Sequence, residues 1–174
     1  MLTARNWGAT AAEMAAPYPG DRYVPPSATA YFRAVDVHAP SDVVFRWLCQ
    51  LKVAPYSYDW IDNRGRRSPR TLTEGADRLE VGQPFLVFEL VDFEPGDHLT
   101  LVALPAAERL FGPLSITYAV RPGATGSRLL VKLAVGRVGP LGGVRRAALG
   151  WGDLVMMRKQ LLTLKSLAEV VPAG

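Results

Sequence analysis

Two groups of side chains in this sequence have the chemistry to hold or transform a small molecule: an acid set in an apolar strand, and a knot of aromatic rings. Glu89 lies in the run Pro84 to Glu94, where a two-residue alternation puts it with Phe85, Val87, Val91 and Phe93. A carboxyl turned toward an apolar cavity can serve as general acid or base. Arg158 is the natural counter-charge: the pair either closes a structural ion pair or contacts a polar ligand head. Tyr56, Tyr58 and Trp60 place three large rings within five residues. They could line one end of a pocket, with hydroxyls orienting a mostly apolar ligand, or simply pack a short helix against a sheet. A catalytic reading takes Glu89 as acid or base, with Tyr58 polarising a carbonyl or enolate oxygen.

These groups need a frame, and the stretch Val144 to Val170 supplies its axis. It has no proline, is rich in Leu, Met, Ala and Lys, and at about 1.5 Å per residue spans roughly 40 Å. Met157, Leu161, Leu164 and Ala168 form one apolar band, Val144, Val155 and Leu162 a second, and Arg158 and Lys165 fall between them. Lys159, Thr163 and Ser166 make a polar strip. Trp151, Leu154 and Met157 read as core that also forms a cavity wall, joined by Phe88 if the other face of its strand lines the cavity.

Upstream, Thr29 to Val37 alternates as a strand, and Pro40-Ser41-Asp42 opens a helix whose buried face is Val44, Trp47, Leu48 and Leu51. Pro84 to Glu94 and His98 to Leu104 read as a hairpin around Pro95-Gly96-Asp97, with His98 as a solvent-facing edge residue. Pro105 to Pro113 is a short insertion, and Ser115 to Val120 and Ser127 to Val135 are two more strands. Residues 1–28 read as an arm lying across the domain formed by 29–171, because Trp7 and Tyr23 are poor candidates for full exposure.

With 174 residues, one domain can bury about 70% of its unfolded surface without a disulfide or structural metal. Cys49 is the sole cysteine and fits a core position in a reducing cytoplasm. His38, His98 and Cys49 are scattered without ligand spacing, so no metal is expected. With no Walker loop or dinucleotide fingerprint, no cofactor is expected either. No stretch is long and apolar enough to span a membrane. The net charge of +4 owes much to Arg64, Arg66, Arg67 and Arg70. This loop is flanked by Asp59, Asp62, Glu74 and Asp77 and lacks interleaved aromatics, which points to a solvated surface rather than nucleic acid. A protein partner for the loop at 64–70 is a further reading.

The motif Val35-Asp36-Val37-His38-Ala39-Pro40-Ser41-Asp42-Val43-Val44-Phe45 resembles the opening of the START-related superfamily. Val91-Asp92-Phe93-Glu94-Pro95-Gly96-Asp97-His98-Leu99 is similar to its recurring hairpin, and Ser127-Arg128-Leu129 to its penultimate strand edge. Asn6-Trp7-Gly8-Ala9-Thr10, the Pro17 to Asp21 segment and Tyr56 to Asn63 resemble a bacterial, polyketide-cyclase-like branch. The resemblance implies an α+β helix-grip fold, an antiparallel curved sheet wrapped around a long C-terminal helix. It also implies an apolar or amphipathic ligand, lipid- or polyketide-like, between the two. Members either carry such ligands or cyclise and dehydrate them, so the fold gives the place of the site and not its chemistry.

Overall fold

A computed structural model describes residues 5–57, 67–136 and 142–170, with residues 110 and 142–155 described by backbone alone. The elements are β1 (Asn6–Trp7), α1 (Ala11–Ala15), β2 (Thr29–Val37), α2 (Ser41–Cys49), β3 (Pro84–Phe85), β4 (Phe88–Glu94), β5 (His98–Ala103), α3 (Pro105–Phe111), β6 (Leu114–Gly123), β7 (Gly126–Val135) and α4 (Gly142–Val170). The strands form one seven-stranded sheet in the order β1-β2-β7-β6-β5-β4-β3, antiparallel except for β1 on β2. This is an α+β helix-grip architecture, with α2 and α4 on one face of the sheet.

Register explains which side chains meet the helix. Tyr31, Leu133, Ile116, Leu101 and Leu90 are successive partners across β2, β7, β6, β5 and β4, and all five belong to the main core. From α4, Met157, Leu161, Leu164 and Ala168 join them, the apolar band read from the helical period. Each fully buried leucine in this set contributes about 2 kcal/mol through the apolar surface it removes from water. Cys49 on α2 is fully buried in the same core, and that burial pushes its thiol up to about 12. The end of α4 is fastened to the β2–α2 turn, where the His38 amide donates to Glu169 Oε1 at 2.8 Å.

The opposite face of the sheet is covered by the arm. Thr10 caps α1 in a capping box with Glu13, and Glu13 also receives Arg128 Nε of β7 at 2.8 Å. The Arg128 guanidinium lowers the Glu13 carboxyl below its usual range, and burial opposes this more weakly. The turn Pro19–Tyr23 then crosses β6: the Gly20 amide donates to Thr117 Oγ1 at 3.1 Å, and Ser115 Oγ donates to the Gly20 carbonyl at 3.0 Å. A Cβ at Gly20 would sit 2.6 Å from Thr117 Oγ1, so glycine is what lets the backbone approach this closely. Ala34, Ala119 and Leu130 form a second small core beneath the arm, with Ala9 against it.

Three elements differ from the sequence reading. Pro84 to Glu94 is not one strand: β3 turns back onto β4 through Leu86 and Val87, with Leu86 at φ 59°. Pro105 to Pro113 contains the helix α3, which starts with proline at its first position, where the absent amide hydrogen costs nothing. The loop between the last two strands shrinks to Ala124 and Thr125 because pairing continues to Gly123↔Gly126.

Candidate functional site

The turn at Leu86-Val87 decides where Glu89 points. In an unbroken strand Phe85 and Glu89 would share a face. In the hairpin Phe85 pairs with Phe88, so those two rings share a face with Leu90 and the core, and Glu89 goes to the other side. An irregularity between Leu90 and Asp92 shifts the alternation again and returns Phe93 to the core. Glu89 therefore lies on the outer face, paired with Val102, in the row that continues to Ser115 under the arm.

Arg158 is also displaced from its expected place. It is exposed, and its guanidinium carbon stands 5.5 Å over the ring of Trp7 on β1, at the end of the sheet opposite β4. The proposed meeting of Glu89 and Arg158 inside the grip does not occur. His98 is likewise not a solvent-facing edge residue. Its side chain is 13% exposed and its Nδ1 lies 2.7 Å from Asp97 Oδ2, in a charged cluster with Asp92, Arg22 and Arg121.

The interior does hold polar groups, and they are others than those expected. Tyr118 Oη on β6 donates to Gln160 Oε1 on α4 at 2.8 Å, and Gln160 Nε2 donates to the Pro55 carbonyl at 2.7 Å. Met157 Sδ lies 3.8 Å from the same hydroxyl. Arg33 is 1% exposed on the inner face of β2 and donates from Nη1 to the Phe32 carbonyl. Its position was readable, since it alternates with Tyr31 and Val35. Gln160 carries a signal too, three residues after Met157 and four before Leu164 on the apolar band, but its polar side chain beside Lys159 masks it.

Tyr56 is buried beside this cluster. Its ring meets Trp47 edge-on at 6.1 Å between centroids, and its hydroxyl donates to Gln50 Oε1 at 3.4 Å. Its backbone is left-handed at φ 54°, rare for an aromatic residue, and the packing of the ring holds it there. Tyr58 and Trp60, and Arg64 and Arg66 of the basic loop, lie outside the described residues. Trp151 and Leu154 are on α4, where the backbone alone is described. Phe88 is half-buried against the core, and Met157 is buried within it.

From Tyr56 the surface opens into a groove of about 520 Å³ between the segment at 67–70 and α4. Tyr56 and Leu167 provide apolar wall, Arg67 and Arg70 one rim, and Lys159, Thr163 and Ser166 the other. The three helical residues are the polar strip seen in the sequence, spaced to share one side of α4. No carboxylate lines this groove among the described residues. Nor do the described residues bring together three or more His, Cys, Asp or Glu side chains that could hold a metal.

Several solved structures align with this chain. The di-domain ARO/CYC StfQ from the steffimycin biosynthetic pathway aligns over 82% of this chain and 51% of its own, with a TM-score of 0.53 and 15% identity. The chain shares the helix-grip fold with this ARO/CYC protein. The chain spans about half the length of StfQ. A protein of Chromobacterium violaceum aligns over 82% of this chain and 98% of its own, with a TM-score of 0.49 and 14% identity. A major latex protein family member of Arabidopsis thaliana aligns over 79% and 94%, with a TM-score of 0.46 and 15% identity. No protein-family model and no curated protein sequence matches the chain. Among the described residues no helix is long and apolar enough to cross a membrane.

Proposed function

We propose that this protein binds an apolar or amphipathic small molecule, lipid- or polyketide-like, between its sheet and α4, with the groove beside Tyr56 as the way in. The observation that carries the reading is the groove itself. Its volume of about 520 Å³ falls within the range of small-molecule sites, and it leads from charged rims to the apolar surfaces of Tyr56 and Leu167. The polar side chains at its rims supply the few anchors that orient such a ligand.

Binding is favoured over a cyclase or dehydratase activity, the kind to which the ARO/CYC name of StfQ points for that protein. The catalytic reading needed Glu89 and Tyr58 in one cavity, and Glu89 belongs to the outer face. A carrier needs only a dry wall and a few anchors.

The test is native mass spectrometry of protein purified from its own host, with solvent extraction of any bound molecule, followed by melting curves with a lipid and polyketide panel. A ligand at a hundred times its Kd stabilises the fold by about 2.7 kcal/mol. For a chain of this size that raises Tm by roughly 5–10 °C. An empty protein whose Tm no member of the panel moves refutes the proposal.

A further inference from the structure

We propose that the groove between the 67–70 segment and α4 is an anion subsite that takes the phosphate or carboxylate head of an amphipathic ligand. This deepens the container reading above and rests on it for the ligand's apolar part. Arg67, Arg70 and Lys159 converge on one concave surface, and none of them pairs with a carboxylate among the described residues.

Other cations of the described fold find partners of several kinds, Lys52 in the Gly75 and Arg78 carbonyls and Arg158 in the Trp7 ring, and five of them pair with carboxylates. Arg22 is matched by Asp92, Arg121 by Asp97, Lys132 by Asp21, Lys165 by Glu169, and Arg128 by both Glu13 and Asp36. Three like charges gathered with no carboxylate among the described lining residues repel one another, and a bound anion relieves that repulsion while accepting charge-assisted hydrogen bonds. Two guanidinium forks suit the planar or tetrahedral oxygens of carboxylate and phosphate, and the lysine adds a compact charge from the helix side.

The surrounding hydroxyls fit the same assignment. Thr163 Oγ1 donates to the Lys159 carbonyl and Ser166 Oγ to the Thr163 carbonyl, both at 2.8 Å, so their protons serve the helix and the cations carry the anion's recognition. The groove is far larger than one phosphate or carboxylate, and its floor at Tyr56 and Leu167 is apolar. Head and chain therefore have separate places: the head at the rim, the chain against Tyr56 and Leu167.

Calorimetric titration with decyl phosphate, decanoate, decanol and inorganic pyrophosphate separates the possibilities, with each amphiphile kept below its micelle concentration. Decyl phosphate and decanoate are expected to bind at least roughly tenfold tighter than decanol, as one charge-assisted hydrogen bond requires. Added salt and the exposed variants Arg70→Gln and Lys159→Gln, checked for an unchanged Tm, should shrink that difference. Equal affinity for all three amphiphiles in the native protein and in both variants overturns the anion subsite and leaves the container standing. Pyrophosphate binding that depends on Arg70 and Lys159, with no binding of any amphiphile, keeps the anion site and overturns the container. If none of the four probes binds, both readings fall.

Discussion

Gln160→Leu is the most informative single change, because it keeps the volume and helix propensity of residue 160 while removing the buried polar link from α4 to β6 and Pro55. Gln160 receives Tyr118 Oη at 2.8 Å and donates to the Pro55 carbonyl at 2.7 Å, and it is 8% exposed. Two intramolecular hydrogen bonds contribute about 1 kcal/mol each to stability. The buried Pro55 carbonyl then loses the donor supplied by Gln160, which costs about 1 kcal/mol more. The expected loss is about 3 kcal/mol, or a fall in Tm of roughly 6–12 °C. Urea unfolding of the native chain, Gln160→Leu, Tyr118→Phe and the double variant gives the pairwise term directly. A coupling of about 1 kcal/mol between the two positions is expected. A loss below about 0.5 kcal/mol for Gln160→Leu, or strict additivity in the cycle, refutes the claim that this buried pair ties the helix to the sheet.

Two further outcomes concern the arm. The Glu13 carboxyl is held below its ordinary value by Arg128, so its contribution is fully present above the unfolded carboxylate range. That contribution fades as pH falls through the lowered folded value. The protection factors of the Ala11–Ala15 amides, with the intrinsic exchange rate at each pH divided out, should therefore fall in acid, and Glu13→Gln should show low protection already at neutral pH; equal pH profiles of protection for the two proteins would exclude the clasp. Gly20→Ala places a Cβ 2.6 Å from Thr117 Oγ1 and should cost about 1–2 kcal/mol in chemical denaturation, partly recovered by Thr117→Ala. A neutral Gly20→Ala would show that the arm's close crossing of β6 is not needed.

The sequence made the frame legible where one periodicity ran long enough to dominate. The α4 band of Met157, Leu161, Leu164 and Ala168 needed only the helical period, and Thr29 to Val37 only the two-residue one. Glu89 failed because a strand's phase is inverted by one turn or one bulge, and neither leaves a strong mark here. The turn Leu86-Val87 contains no Gly, Asn or Pro, and Leu86 adopts φ 59° against its own preference. The irregularity after Leu90 then restores the core position of Phe93, so that Phe85 and Phe93 both point inward while the residue between them that matters points outward. The meeting of Gln160 with Tyr118 was hidden for a different reason. It depends on the helix's rotation about its axis against β6, which no local pattern encodes.

The double cover of the sheet bears on where a ligand can go. Phe32, Ala34 and Leu130 would be a liability on an open outer face, and the arm buries them, joined by charge pairs at Arg128 and Lys132. With the outer face closed and its cations neutralised, the uncompensated positive charge among the described residues of the groove is left beside α4. That asymmetry follows from where the described acids lie: Asp21, Asp36, Asp92 and Asp97 serve the outer face and its edges, while the described lining of the groove contributes Arg67, Arg70 and Lys159 and no acid. An anionic head is drawn to that rim, and the nearest apolar surface it can lay a chain against is formed by Tyr56 and Leu167, where the helix closes on the sheet.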